Sequence, residues 1–145
     1  MAYTVAQVEG VITKRIGAYL TLASMTSVSS PNAHLADPIL WALRLLGYAP
    51  AAIDEVVDAD LVSVPAAHLD ALLDLAELRA LESVLTQYTR VSGSMGPLRE
   101  DWGELGKRLA DMVKVKRENA AAQHGRLLTT PLTPTDKRTI LVEAL

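Results

Sequence analysis

HLDALLDLAELRALESVLTQY, residues 68–88, decides the fold class. Leu69, Leu72, Leu73, Leu75, Leu78, Leu81 and Leu85 step round a helix axis at about 100° per residue and leave no wide polar face. A helix resting on a single core needs one apolar stripe. One that is apolar on all sides must be covered from several directions. In a chain of 145 residues part of that cover is expected from other chains. Leu75, Leu78 and Leu85 are therefore candidate subunit contacts.

Composition sets the bounds. Half of the residues are hydrophobic, enough for one domain to close a core without crosslinks. The absence of cysteine excludes disulfides and thiolate metal sites. With no phenylalanine, the aromatic bulk rests on Trp41, Trp102 and four tyrosines. No run reaches the roughly 20 apolar residues that span a bilayer. The N-terminus, MAYTVAQVEG, lacks a basic start followed by an apolar block, so no signal peptide is read and an intracellular, soluble chain is expected. The net charge of −3 is unevenly spread. Residues 51–88 hold Asp54, Glu55, Asp58, Asp60, Asp70, Asp74, Glu77 and Glu82 against Arg79 alone, whereas residues 97–126 are net basic. Such a bias steers neighbouring subunits into register or simply reflects two solvated faces. An acidic chain argues against primary nucleic-acid binding, which uses a clustered basic face.

Outward from the central helix, Thr4 and Gln7 have capping-box spacing. Val5, Val8, Val11, Ile12, Ile16 and Leu20 then predict a helix over 5–24, with Gly10 and Gly17 as points of close packing. After a Ser/Pro/Asn-rich loop, Asp37-Pro38 reads as the cap and first residue of a short, nearly all-apolar helix ending at Gly47. Residues 51–64 are ambiguous between strand and coil, and Asp58-Ala59-Asp60 suits the cap of a short helical turn. Pro65 opens the long helix. Residues 89–96 are loop by composition, and Gly96-Pro97 opens the last major helix. Its Leu98, Trp102, Leu105, Leu109 and Met112 follow a heptad seam. Acids fall in its early turns and Lys114, Lys116 and Arg117 near its end, each set complementing the helix dipole. Gly103 and Gly106 interrupt the pattern, either as contacts for another subunit or as tolerated surface glycines. Past Gly125, Pro131 and Pro134 prevent a regular helix. Yet Leu127, Leu128, Leu132, Ile140, Leu141, Val142 and Leu145 are too apolar for a free tail. The expected architecture is all-α. A small helical bundle (residues 1–126) surrounds a long buried central helix, and an extended C-terminal arm (residues 127–145) docks on a neighbour.

Candidate chemistry is thin. His34, His68 and His124 lie far apart and lack the i, i+4 spacing of a helical metal site. Asp58 and Asp60 match the oxygen donors that hard cations prefer, but capping explains them as well. Asp70, Asp74, Glu77 and Glu82 interleave with leucines rather than forming a divided acid–base pair. Ser92-Gly93-Ser94 is no nucleophile elbow, and no phosphate-binding glycine loop occurs. Trp41 and Trp102 read as core residues. No catalytic residue, metal or cofactor site is expected.

Three stretches together resemble a known family. They are Asn32-Ala33-His34-Leu35-Ala36-Asp37-Pro38-Ile39, Asp74-Leu75-Ala76-Glu77-Leu78-Arg79-Ala80-Leu81-Glu82 and Gly96-Pro97-Leu98-Arg99-Glu100-Asp101. In this order of elements the chain is similar to the small head–tail connector adaptors (head completion proteins) of tailed bacteriophages. The resemblance implies a structural virion protein, built in the host cytoplasm and placed at the head–tail interface. It implies a homo-oligomeric ring, usually of twelve copies, that binds the portal protein, receives the next connector or tail protein, and extends the DNA channel. A C-terminal segment reaching the portal is a further implication, and residues 127–145 match it in position and character. A net negative chain fits a wall that DNA passes without sequence-specific contact. The competing reading is a small helical oligomeric regulatory module that binds a protein or DNA. Residues 97–117 are then the only recognition-helix candidate, diluted by Glu100, Asp101, Glu104 and Asp111.

Overall fold

Thr4 starts the first helix as the spacing predicts. In the computed structural model, which describes residues 3–27, 30–92, 99–129 and 132 (without the side chains of 88–92 and 99–103), its hydroxyl accepts from Gln7 N at 3.2 Å. Gln7 Oε1 in turn accepts from Thr4 N at 3.0 Å. Helix α1 runs Val5–Leu22 with a local break in helical geometry at Ile16. It ends with Met25 N donating to Leu20 O and Ser24 N to Thr21 O, which places Ser24 at a φ of 57°. That pattern is a Schellman cap with serine where glycine is usual.

Helix α2, Ala33–Leu45, begins five residues before the expected Asp37-Pro38 start. The true cap is Asn32, whose Oδ1 accepts from His34 N at 3.0 Å. Pro38 lies inside the helix, where it forfeits one backbone donor. Glu9, buried on α1, explains the earlier start. Its two carboxylate oxygens accept from Ser30 Oγ (2.6 Å) and Asn32 N (2.7 Å), pinning the cap against the core. Gly47 closes the helix at φ +92°, as read from sequence, with Tyr48 N bonded to Leu43 O.

Residues 51–57 contain neither strand nor helix. They lead into α3, Asp58–Leu61, where Asp60 reaches back to Val57 N at 3.0 Å. Asp58 does something the sequence did not suggest: its Oδ1 accepts from Val5 N at 2.8 Å, capping α1 from 53 residues away.

Helix α4, Ala66–Ser92, packs against α2, α5 and α1. Leu72, Leu75, Leu78 and Leu81 are each at most 1% exposed. Cover from several directions is what the leucine pattern requires, and the three neighbouring helices of the same chain supply it. The expectation that other chains cover Leu75 and Leu78 is therefore corrected. Helix α5, Arg99–His124, lays Leu109, Val113 and Ala120 on the core, with Leu105 and Met112 beside them. Leu98 lies outside the described residues, as does the side chain of Trp102. A 3-10 turn, Gly125–Leu127, follows. The chain then folds back: Thr129 N donates to Leu45 O at 2.7 Å, and Leu127, Leu128 and Leu132 pack against the core. Among the described residues the fold is a helical bundle with no strand.

Candidate interaction surface

Two features stand out once the core is closed. One is a charged seam between helices, the other an apolar surface left uncovered.

The seam joins α1, α4 and α5. Glu77, 6% exposed, accepts from Arg15 Nη1 at 3.1 Å and from Lys116 Nζ at 2.7 Å, one cation on each oxygen. Asp74 is likewise shared, by Arg15 at 3.0 Å and His124 Nε2 at 2.7 Å. Arg117 bonds Glu82 one turn further along. Burial works against the Arg15 charge, but the hydrogen bonds to Glu77 and Asp74 and their Coulombic attraction outweigh it, so its pKa is raised. Arg15 therefore stays a guanidinium wherever these carboxylates are ionised, and the stability from its own protonation fades only as pH climbs through that raised value. The seam does structural work. Both Glu77 oxygens are engaged by cations from neighbouring helices. The shallow pocket beside it is lined by Asp74, Glu77, Lys116, Asn119, Ala120 and Gln123. Lys116 there is engaged by the Glu77 carboxylate at 2.7 Å. The basic residues near the end of α5, read as dipole partners, thus spend much of their charge on α4.

The apolar surface lies around the start of α1. Ile53 is 86% exposed, Val62 64% and Val57 43%. All three lie on the segment that links α2 to α4. Val56 and Val57 form one wall of an open hollow with Val5, Ala6 and Pro31. Ala6 also lines an adjoining groove of about 380 Å3 between α1 and α4, formed with Tyr3, Val8, Val11, Leu69 and Leu73. The two concavities meet at Ala6 in one partly apolar strip, which Val57 joins and Ile53 and Val62 do not line. Gly10 lies in the groove, and a Cβ there would meet nothing within 4 Å, so it is not the close-packing point expected from sequence. A Cβ on Gly17 would make only an ordinary contact with Thr13. Asp54, Glu55 and Asp58 are exposed beside the strip and rim it with negative charge.

The predicted contact residues divide accordingly. Leu75 and Leu78 are sealed inside; Leu85 is half-buried on the core. Leu127, Leu128 and Leu132 pack on the chain itself. Gly106 is half-buried on α5, and Gly103 lies on the same helix. Ile140, Leu141, Val142 and Leu145 lie outside the described residues. Sequence reasoning missed Ile53, Val57 and Val62. The available signal was a run of aliphatic residues among acids, with no helical or strand periodicity to bury them.

The histidines serve three separate places. His34 N meets the α2 cap, His68 Nδ1 pairs with Tyr48 OH at 2.8 Å, and His124 joins the seam. Among the described residues no group of three or more His, Asp or Glu side chains is placed to hold a metal ion. No described helix is long and apolar enough to cross a membrane. The exposed face of α5 alternates Lys107, Arg108 and Lys114 with Glu104, Asp111 and Glu118, which is not the basic stripe of a DNA-reading helix. Trp41 is half-buried, with the Arg79 guanidinium 5.4 Å from its ring centroid. Comparison of the chain with protein-family models, curated proteins and solved structures finds no match.

Proposed function

We propose that this chain is a structural subunit of a viral head–tail connector, an adaptor that joins a portal ring to the next tail component and lines the path of the DNA. One observation carries the reading. A bundle that closes its own core still leaves aliphatic side chains exposed at Ile53, Val57 and Val62, and a partly apolar groove between α1 and α4. Exposed apolar surface, where it is contiguous, marks a protein-interaction site. A salt-bridged seam that ties α1, α4 and α5 supports a rigid building block, which suits stacking between larger parts. The resemblance of the three sequence stretches supplies the kind of assembly proposed.

In this reading that exposed surface, rather than the leucines of α4, is where the subunit joins its neighbours. Ring formation, with twelve copies as the resemblance suggests, is tested by native mass spectrometry of the chain with its cognate portal rings. The expected result is a discrete complex holding a fixed number of copies per portal. A folded chain that ignores portal rings at every concentration tried would remove the proposal.

A further inference from the structure

The strip along α1 carries opposite charges at its two ends. The hollow at the start of the helix holds Glu55 and Asp58, the latter bonded to Val5 N. The far end of the groove holds Lys14. Glu55 and Lys14 are both exposed, and among the described residues neither forms an ion pair. Between the two ends lie exposed Ala6 and Gly10 and the half-buried Val11 and Leu69.

Gly10 marks the midpoint of this arrangement. Ala6, where the acidic hollow begins, and Lys14 each lie four residues from it, about 6 Å along the axis in opposite directions. Residues four apart share a face of the helix, so all three positions look the same way. A Cβ on Gly10 would meet nothing within 4 Å, so the midpoint is bare. A face with opposite charges at equal distances from a bare centre is complementary to itself under a two-fold rotation, as an isologous contact requires. No second surface has to be found for it: rotation brings each basic end onto an acidic one.

We propose that a second copy of this chain occupies the strip, its α1 antiparallel to the first about a two-fold axis at Gly10. Lys14 of each copy then pairs with Glu55 of the other, and Val11 and Leu69 of both copies pack beside the axis. This goes beyond the connector reading and does not depend on it. Ile53 and Val62 do not line the strip, so the pairing makes no use of them.

The absence of native cysteine makes the test direct. The full chain carrying Gly10→Cys is oxidised mildly at several concentrations and read by non-reducing electrophoresis. The control is Val115→Cys, since Val115 is an exposed aliphatic residue on α5, 53% accessible. Packed helices lie about 8–10 Å apart with Cα atoms about 2.3 Å from each axis. The two copies of residue 10 therefore come within the roughly 4.4–6.8 Å that a disulfide spans. The pairing predicts a covalent dimer whose rate of formation is roughly tenfold or more above the control. K14E or E55K in the same chain slows the reaction about two- to tenfold, and the two together restore it. Sedimentation of the parent chain is expected to show monomer and dimer in a ratio set by concentration. A crosslinking rate equal to the control, a double reversal that fails to restore it, monomer alone at every concentration, or assemblies that grow past the dimer would each overturn the pairing. All of these are obtained without a portal, so they leave the connector reading to its own test.

Discussion

Replacing Leu78 by alanine asks whether the central helix is covered by its own chain. Leu78 is 1% exposed and sits where α4 meets its neighbours. The substitution removes buried carbon worth about 2 kcal/mol in transfer free energy. A residual cavity brings the usual total for a leucine in a packed core to roughly 3–5 kcal/mol. We expect about 3–4 kcal/mol, the upper part being reduced by whatever collapse the neighbouring helices permit. Natural domains are stable by only about 5–15 kcal/mol, so this is a large fraction of the whole and corresponds to a midpoint lowered by roughly 10 °C or more. The assay is urea denaturation followed by circular dichroism at several protein concentrations. Because the cover comes from α1, α2 and α5 of one chain, the loss should be the same at every concentration. A loss below about 1 kcal/mol, or one that appears only where oligomers form, would refute the reasoning.

Four further perturbations follow from particular contacts. Glu77→Ala removes a nearly buried carboxylate from Lys116 and Arg15, both about a third exposed and Arg15 still paired with Asp74, and is expected to cost about 1–2 kcal/mol by denaturant titration, with Glu77→Gln costing less. Asp58→Ala removes the long-range cap on Val5 N and should cost about 1 kcal/mol, seen as earlier amide exchange in the first turn of α1. Ser24→Gly relieves a left-handed serine and is expected to stabilise by up to about 1 kcal/mol in thermal denaturation; a lower midpoint would contradict the cap assignment. Gly10→Ala adds a Cβ where nothing lies within 4 Å and should stabilise the middle of α1 by about 0.5–1 kcal/mol, measured the same way.

How much the sequence could tell depended on whether the signal was local. The Thr4 capping box, the Gly47 stop and the long leucine-rich helix are written in contiguous residues and were legible. The start of α2 was not. Asp37-Pro38 is a good local start, but Asn32 held by Glu9 wins because the competing cap is anchored through a buried carboxylate 23 residues upstream. Asp58 was readable as a cap but not as the cap of α1, since nothing in the sequence links positions 5 and 58. The largest revision concerns Leu75 and Leu78. Periodicity reports how many sides of a helix are apolar; it does not report which chain covers them. Here α1, α2 and α5 suffice, and the uncovered apolar surface moves to a segment with no periodicity, at Ile53, Val57 and Val62.

The central claim is that the exposed aliphatic residues of the segment linking α2 to α4, outside the closed core, are where the subunit joins its assembly. It is tested most directly by the affinity of the full-length I53E/V62E variant for cognate portal rings, measured beside its unfolding midpoint. Both positions are largely exposed, so stability should stay within about 0.5 kcal/mol of the parent while binding weakens by roughly tenfold or more. Binding at parental strength by an equally stable variant would contradict the account.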